Sequence, residues 1–269
     1  YVNEIIISPS NPRIKELVKL RESPRRRRER GVFVVEGLDD LKALWESGKR
    51  VEEVFHCKKL ISQGYVSESL AKWEREGIKL QEVSEEAFLK ASYRKKSDGI
   101  LAVVRKWSLE IRPPEEVKHT LVVVLDEIEK PGNLGAILRT AEAFGADAVF
   151  LSDSCVDFFN PNVVRSSRGL IGQVPVFAGT KEEVFDWLGA SQLEILGTSS
   201  KQSDSLYESK LARGTAFVLG SEKEGLGSFW KSKISKWCKI PMRGKASSLN
   251  LNACLACLLS EFNRATQRH

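Results

Sequence analysis

The second half of the chain alternates short apolar runs with helical patterns, as parallel α/β folds do. Residues 121–125 are apolar at every position, which is typical of a parallel strand buried on both faces. Five further runs predict strands at 148–151, 174–177, 194–198, 215–219 and 237–240. Apolar residues at helical spacing predict helices over 134–144 and 249–262. We therefore expect an α/β fold with a parallel sheet, which binds ligands at the carboxyl ends of its strands.

The first part of the chain also alternates strands and helices. The pattern predicts strands at 32–35, 51–56, 80–83 and 99–104, and helices at 13–21, 38–45 and 67–77. Residues 107–116 have no clear periodicity and contain Pro113 and Pro114, which favour extended chain. Together these patterns predict a smaller α/β domain over 1–106, a linker over 107–116 and a larger domain over 117–269.

Positive charge is concentrated in the predicted N-terminal domain. Residues 1–106 carry 23 Lys and Arg against 17 Asp and Glu, whereas residues 107–269 carry 19 of each. The whole net charge of +6 therefore lies in the first domain. A basic domain beside a neutral one suggests that the first attracts a polyanion such as RNA. The alternative, that these cations only aid solubility, stays open.

An arginine run lies directly before the strand predicted at 32–35. The strand anchors the run, and planar guanidinium groups match the geometry of phosphates. The run predicts RNA contacts by Arg25, Arg26, Arg27, Arg28 and Arg30. A second basic segment adds Arg165 and Arg168 as candidate RNA contacts. For both segments, a solvated charge run is the alternative.

The sequence disfavours several other classes of function. No apolar run reaches the roughly 18 residues of a membrane-spanning helix, and the first residues have no signal-peptide pattern. Five cysteines without framework spacing fit a reduced, cytoplasmic protein, and three histidines without partner residues predict no metal site. The turn at 130–135 lacks the G-x-G-x-x-G fingerprint, which argues against a dinucleotide-dependent oxidoreductase.

Three short segments in the second half carry a specific resemblance. They read NLGAILRTA at 133–141, LGSEKEGL at 219–226, and IPMRG at 240–244 followed by SLN at 248–250. In this order and spacing they resemble the motifs of the SpoU/TrmH branch of the SPOUT methyltransferases. The stretch FVVEG at 33–37 is similar, less specifically, to the N-terminal substrate-binding domain of many SpoU enzymes.

The resemblance implies a fold, a reaction and an assembly. The C-terminal domain would hold a SPOUT-like parallel sheet with a trefoil knot, and the smaller N-terminal α/β domain would bind RNA. The enzyme would transfer a methyl group from S-adenosylmethionine to a ribose 2′-hydroxyl of RNA, as a homodimer that completes its sites across the interface. Ribosomal RNA is the expected substrate, because the N-terminal domain resembles that of rRNA-modifying members. The alternatives are tRNA, or an RNA-binding protein of the same fold without catalysis.

The resemblance also implies roles for individual residues. Asn133 and Arg139 would face the RNA ribose and its phosphate, and Glu222 would orient Arg139 or neighbouring donors. Ser248 and Asn250 would position the ribose hydroxyl. The cofactor would contact Leu219, Gly220, Ile240, Met242, Ser248 and Leu249, largely through main-chain groups.

Thr198 ends a predicted strand and is therefore, independently of the resemblance, another candidate for the cofactor pocket.

The family's arginine has been assigned either a base or an electrostatic role. A guanidinium with a pKa above about 12 is a poor base, so we favour the electrostatic role for Arg139. Asn252 departs from the family pattern, which usually has a small hydroxyl residue there.

Overall fold

Two compact units make up the chain in the computed structural model, which describes residues 4–61, 64–94, 96–199, 204–222 and 224–266. The first unit combines Tyr1–Trp107 with Asp157–Gln173, and the second combines Ser108–Val156 with Val174–His269. The N-terminal unit therefore includes a segment that the sequence pattern assigns to the larger domain. That the N-terminal domain binds RNA and the C-terminal domain carries out catalysis remains a prediction.

The first unit is built on a four-stranded sheet. Its strands lie in the order β1-β4-β2-β3: β1 (Val32–Glu36), β2 (Val51–His56), β3 (Lys79–Glu82) and β4 (Ile100–Arg105). β4 pairs antiparallel with β1 and β2, and β2 pairs parallel with β3. The helices of this unit are α1 (Pro12–Glu22), α2 (Pro24–Arg30), α3 (Leu38–Glu46), α4 (Gly64–Arg75), α5 (Glu85–Ala91) and, from the later segment, α7 (Pro161–Ser167).

The arginine run forms the short helix α2. Ser23 begins the helix, because its side-chain oxygen accepts a hydrogen bond from the Arg26 amide at 3.2 Å and Pro24 follows in the first turn. Gly31 ends the helix in the left-handed conformation, with φ of 64°. The run is therefore ordered rather than an extended, solvated stretch.

Arg27 is the buried residue of α2, with only 1% of its side chain exposed. Its guanidinium pairs with Asp157 at 2.7 Å and donates to the carbonyl oxygens of Leu20 at 2.6 Å and Arg21 at 2.9 Å. Because the group is enclosed and all three of its nitrogens are engaged, it holds the later segment in the N-terminal unit. The prediction that Arg27 contacts RNA is therefore wrong.

Aromatic packing also fixes the 157–173 segment. Phe158 and Phe159 are buried, and their rings contact those of Phe33 on β1 and Trp107. The ring centroids of these pairs lie 4.9–5.9 Å apart, within the range of favourable aromatic contacts. The core of the first unit is thus complete only when both chain segments are present.

The second unit is a six-stranded parallel sheet with helices. The strands lie in the order β10-β8-β9-β5-β6-β7, and every neighbouring pair is parallel. Their bounds are β5 (Leu121–Asp126), β6 (Ala148–Ser152), β7 (Val176–Gly179), β8 (Glu194–Thr198), β9 (Thr215–Leu219) and β10 (Lys236–Cys238). The helices are α6 (Pro131–Ala143), α8 (Lys181–Ala190), α9 (Ser228–Lys233) and α10 (Leu251–Thr266). All six predicted strands are present, with β7 and β10 displaced from the predicted bounds.

Helix α10 packs against α6 and β9 at the end of the second unit. Its apolar stripe of Leu255, Leu258, Leu259 and Phe262 has no exposed surface, so the stripe belongs to the core of this chain. The predicted linker is also held in place: the carbonyl oxygens of Leu109 and Arg112 accept hydrogen bonds from Ala178 and Trp187, both at 2.7 Å. Among the described residues, no helix has the length and apolar character needed to cross a membrane.

Candidate active site

A cleft of about 690 Å³ lies beyond the carboxyl ends of β8 and β9. This is the edge where open parallel sheets bind ligands, because the loops that follow the strands diverge there. Each of the seven residues predicted to contact the cofactor lines this cleft: Thr198, Leu219, Gly220, Ile240, Met242, Ser248 and Leu249. Glu222 and Asn250, from the predicted catalytic set, line it as well. Segments far apart in the sequence therefore meet on one surface.

The cleft lining combines apolar side chains with a few charges. Trp237, Ile240 and Met242 contribute half-buried apolar surface. Glu224 adds a carboxylate and Lys231 an ammonium group. The lining thus offers apolar walls together with several polar and charged groups, a combination that suits an amphipathic ligand.

Gly220 is required by the backbone of the loop that borders the cleft. A Cβ at this position would lie 2.2 Å from the carbonyl carbon and oxygen of Gly225 and 2.4 Å from Leu226 N, distances that no side chain tolerates. The loop closes because Gly225 N donates to Ser221 O at 3.0 Å, with Gly225 in the left-handed region at φ of 67°. Both glycines thus allow the chain to form a tight loop, and Glu222 lies at the tip of this loop.

Glu222 is the centre of a polar network that joins three segments. One of its carboxylate oxygens accepts a hydrogen bond from the Lys130 ammonium, and the other accepts from the side-chain amides of Asn133 and Asn250, the latter at 3.3 Å. The hydrogen bond from Lys130, supported by that from Asn133, lowers the pKa of Glu222. Glu222 therefore stays ionised at neutral pH and acts as an acceptor that orients amides.

Arg139 lies apart from this network. It is exposed on α6, about 9 Å along the helix axis from Asn133, and is not among the residues that line the cleft. Within the described part of the chain, no carboxylate pairs with its guanidinium. Glu222 thus contacts the neighbouring donors, one of the two predicted possibilities, and not Arg139.

The four arginines of α2 other than Arg27 differ in how far their charges are neutralised. Arg25 pairs with Glu29 at 2.7 Å, and Arg26 and Arg30 pair with Glu16 at 2.9 and 3.6 Å. Arg28 is exposed and has no carboxylate within ion-pair distance among the described residues. If α2 meets RNA, Arg28 is the residue that offers an uncompensated charge. Arg165 and Arg168 are also exposed, at the end of α7.

Sequence reasoning did not indicate Lys130 as a site residue, and it gave Asn252 no structural role. Lys130 pairs with Glu222 across 92 positions of sequence, and no local pattern could indicate that contact. Asn252, the departure from the family pattern, accepts a hydrogen bond from the Thr140 hydroxyl at 2.7 Å. It therefore links the start of α10 to α6, which carries Asn133 and Arg139. Within the described ranges, no cluster of His, Cys, Asp or Glu is suited to hold a metal ion.

Two family models match the chain. The model of the SpoU rRNA Methylase family matches residues 120–260, which include every residue that lines the cleft. The model of the MRM3-like substrate binding domain matches residues 11–102, within the first compact unit.

Curated relatives align over almost the whole chain. The 23S rRNA (guanosine(2553)-2′-O)-methyltransferase RlmP of Bacillus subtilis is 30% identical over 263 residues, which are 94% of this chain and 97% of that protein. The 23S rRNA (uridine(2479)-2′-O)-methyltransferase of Streptomyces viridochromogenes is 27% identical over 270 residues, which are 96% of this chain and 91% of that protein.

Solved structures have the same fold. The crystal structure of an RNA 2′-O ribose methyltransferase has a TM-score of 0.86 at 32% identity and covers 98% of this chain and 100% of that one. The SpoU methyltransferase AviRb from Streptomyces viridochromogenes, in complex with AdoMet, has a TM-score of 0.84 at 23% identity and covers 96% of this chain and 100% of that one. The predicted α/β class with a parallel sheet and a smaller N-terminal domain is confirmed.

Proposed function

The chain belongs to the SpoU rRNA methylase family, and on this premise we propose that it transfers a methyl group from S-adenosylmethionine to a ribose 2′-hydroxyl of ribosomal RNA. The observation that carries the proposal is the convergence of the seven predicted cofactor residues on one cleft, beside the Glu222 network. The 23S rRNA named as substrate of both relatives supports ribosomal RNA over tRNA. We also propose a cytoplasmic location, which the five cysteines without framework spacing favour.

The cleft suits S-adenosylmethionine in size and chemistry. Its volume of about 690 Å³ falls within the roughly 300–1,000 Å³ of sites for ligands of this size. Trp237, Ile240 and Met242 would cover the adenine and the apolar surface around the sulfonium. Glu224 would complement the positive charge. When bound, the cofactor supplies an electrophilic methyl group, which is transferred with loss of that charge.

Neutral thiols keep the cleft compatible with a methyl donor. Cys254 lines the cleft, and its sulfur lies 3.9 Å from the Thr198 hydroxyl. Burial raises the pKa of Cys254, and it raises the pKa of the neighbouring Cys238 to about 12. The thiolate is the reactive form of cysteine, so these two side chains are poor nucleophiles at neutral pH.

The polar residues would orient the ribose and stabilise its developing alkoxide. Ser248 and Asn250 are exposed at the cleft, where they can reach a ribose hydroxyl. Glu222 holds the amides of Asn133 and Asn250 with their nitrogens turned toward its own carboxylate, which fixes both side chains before substrate arrives. Arg139 would bind the adjacent phosphate and stabilise negative charge on the attacking oxygen.

A homodimer is part of the proposal. Arg139 is exposed and outside the cleft of its own chain, so a second copy would supply its Arg139 to complete the site. The apolar stripe of α10 is buried within the chain and does not serve this interface. The trefoil knot remains an expectation from the family resemblance.

Cofactor binding and methylation test the proposed function together. Calorimetric titration should give micromolar affinity for S-adenosylmethionine and for its demethylated product, about −8 kcal/mol. Incubation with in vitro transcribed 23S rRNA and the labelled cofactor should place label at one nucleotide and make the following phosphodiester resistant to alkali. If well-folded protein binds neither compound at millimolar concentration, the proposal is wrong. Cofactor binding with label on a base would refute the 2′-hydroxyl as acceptor.

Glu222→Ala is expected to lower methyl transfer on the order of 100-fold, as loss of one preorganised polar group typically does. The substitution leaves the amides of Asn133 and Asn250 without their acceptor and frees Lys130. Glu222→Gln keeps the shape and one acceptor oxygen, so it should recover part of the rate. Single-turnover rates with saturating cofactor measure the effect, and Glu208→Ala, an exposed carboxylate that does not line the cleft, is the matched control. Equal rates for both alanine variants would contradict the role given to the network.

A further inference from the structure

A second recess, of about 370 Å³, lies on the N-terminal unit. We call it the Arg168 recess. It is lined by four cations, Arg94, Lys96, Arg165 and Arg168, and by three carboxylates, Asp39, Asp40 and Asp98. Arg165 and Arg168 come from the 157–173 segment, and the other residues come from the first hundred positions of the chain. The recess thus exists only because both segments fold into one unit.

Two of the three carboxylates are engaged within the protein. Asp40 is buried and pairs with Arg94. Asp98 accepts hydrogen bonds from Leu38 N at 2.7 Å and Ile100 N at 3.2 Å, so it serves the start of α3 and the start of β4. Asp39 alone is exposed, and it makes no hydrogen bond or ion pair among the described residues. The internal contacts therefore leave a single uncommitted carboxylate.

Three of the four cations form no ion pair among the described residues, although the charge of Arg168 acts on the buried Asp40 and opposes the burial that raises the pKa of that carboxyl to about 6. Lys96, Arg165 and Arg168 are exposed, and within the described ranges no carboxylate lies at ion-pair distance from them. Another recess on this unit, of about 650 Å³, differs, because its arginines Arg13 and Arg30 pair with Glu53 and Glu16. Cations that face a recess without a partner are suited to an anion from outside the protein.

The backbone beneath Arg168 is held in an unfavourable conformation. Arg168 has φ of 54°, a left-handed conformation that costs a non-glycine residue free energy. Gly169 follows at φ of 77°, and a Cβ there would lie 2.3 Å from the carbonyl oxygen of Asp40. The turn is thus pressed onto the first turn of α3, which fixes where the Arg168 side chain begins. Arg168 is the residue that ends α7, a position where the left-handed conformation is common.

We propose that the Arg168 recess binds phosphates of the RNA substrate, through Lys96, Arg165 and Arg168. This inference rests on the proposed function and adds a recognition site separate from the cofactor cleft. The planar guanidinium groups would each donate two hydrogen bonds to a phosphate, and Lys96 would add a point charge. Asp39 opposes the bound phosphate and so limits the affinity.

The triple substitution Lys96→Ala, Arg165→Ala and Arg168→Ala tests the proposal. Affinity for in vitro transcribed 23S rRNA is expected to fall on the order of 100-fold, and the dependence of log affinity on log salt to flatten by about 2–3. The matched control removes three exposed lysines from α1 and α5, Lys15, Lys19 and Lys90. It should change both quantities much less. Asp39→Asn should strengthen RNA binding, because it removes the opposing charge.

Arg168→Gly provides a test that loss of folding cannot imitate. Glycine relieves the left-handed backbone, so Tm should rise by about 2–4 °C while RNA affinity falls. A lower Tm would mean that Arg168 is a structural residue and would overturn the proposal. Equal RNA affinity in the triple variant and its lysine control would overturn it as well.

The outcomes separate this inference from the proposed function. If wild-type protein methylates RNA and the triple variant binds RNA like the control, the recess proposal fails and the enzyme assignment stands. If wild-type protein binds cofactor and RNA without methylating it, while the triple variant loses RNA, the recess proposal stands and the reaction is misassigned. All variants should bind S-adenosylmethionine with wild-type affinity.

Discussion

Arg139→Ala should lower methyl transfer on the order of 100-fold or more and leave S-adenosylmethionine affinity nearly unchanged. The reason is the separation seen in the structure: Arg139 is exposed on α6, whereas the cofactor cleft is lined by other residues. Single-turnover methylation of rRNA and calorimetry with the cofactor measure the two effects. Wild-type turnover in this variant would show that Arg139 takes no part in the reaction.

Arg139→Lys separates the two possible roles of this residue. Lysine keeps the charge but loses the planar fork, so it should recover only part of the rate. If Arg139 acts as the base, the lysine variant's rate should rise steeply at alkaline pH, because an amine with a lower pKa deprotonates there. If Arg139 stabilises charge and holds a phosphate, the pH profile should have the wild-type shape. We expect the second result.

Mixing two inactive variants tests whether sites are shared between copies. One protomer carries Arg139→Ala and the other Glu222→Ala. When equal amounts of the two variants exchange subunits at random, half of the dimers are mixed. If each site combines Glu222 of one chain with Arg139 of its partner, each mixed dimer has one complete site. The mixture should then regain about a quarter of wild-type activity. No recovery, with exchange of subunits verified by mass, would contradict a shared site.

Arg27→Ala should destabilise the N-terminal unit by about 3–5 kcal/mol, because breaking a buried ion pair leaves an uncompensated charge. Oδ2 of Asp157 and the carbonyl oxygens of Leu20 and Arg21 would lose the Arg27 donor, whereas Oδ1 of Asp157 would keep the Phe159 amide. Urea unfolding followed by tryptophan fluorescence measures the loss. Arg28→Ala, at the adjacent exposed position, is the control and should change stability by less than about 0.5 kcal/mol.

A second substitution identifies the source of that destabilisation. Adding Asp157→Asn to Arg27→Ala removes the unpaired carboxylate, so part of the lost stability should return. If the double variant is no more stable than Arg27→Ala, the packing of the arginine side chain, and not its charge, accounts for the loss. Equal stability of Arg27→Ala and Arg28→Ala would contradict the structural role of Arg27 altogether.

The parallel sheet was predictable because buried parallel strands are apolar at nearly every position. The strands at Glu194–Thr198 and Thr215–Leu219 have the predicted bounds. β7 begins at Val176, two residues after the predicted start. The prediction began too early because Val174 and Pro175, which precede the strand, are also apolar. The helix α2 had no hydrophobic pattern to reveal it, since its one buried residue is an arginine.

The site was predictable to a lesser extent. The family motifs indicated eight of the residues that line the cleft, whereas Asn133 and Arg139 of the same motifs do not line it. The partner of Glu222 was not predictable, because Lys130 reaches it only through the three-dimensional arrangement of two loops. It was equally unpredictable that the N-terminal unit would combine two separate segments of the chain. Phe158 and Phe159 read as an ordinary apolar pair, and nothing local indicates that they pack against Phe33 and Trp107.

The late arrival of the 157–173 segment has a consequence for how the chain folds during synthesis. Arg27 and Asp157 are 130 positions apart, so at about 5–20 residues per second the nascent chain carries an unpaired Arg27 for roughly 7–26 s. Over nearly the same interval Phe33 lacks the Phe159 ring that packs against it. The emerging N-terminal region therefore exposes an apolar face with a charged edge before its own core can close. Such a face is what holding chaperones bind, and premature release of the chain would leave it open to aggregation.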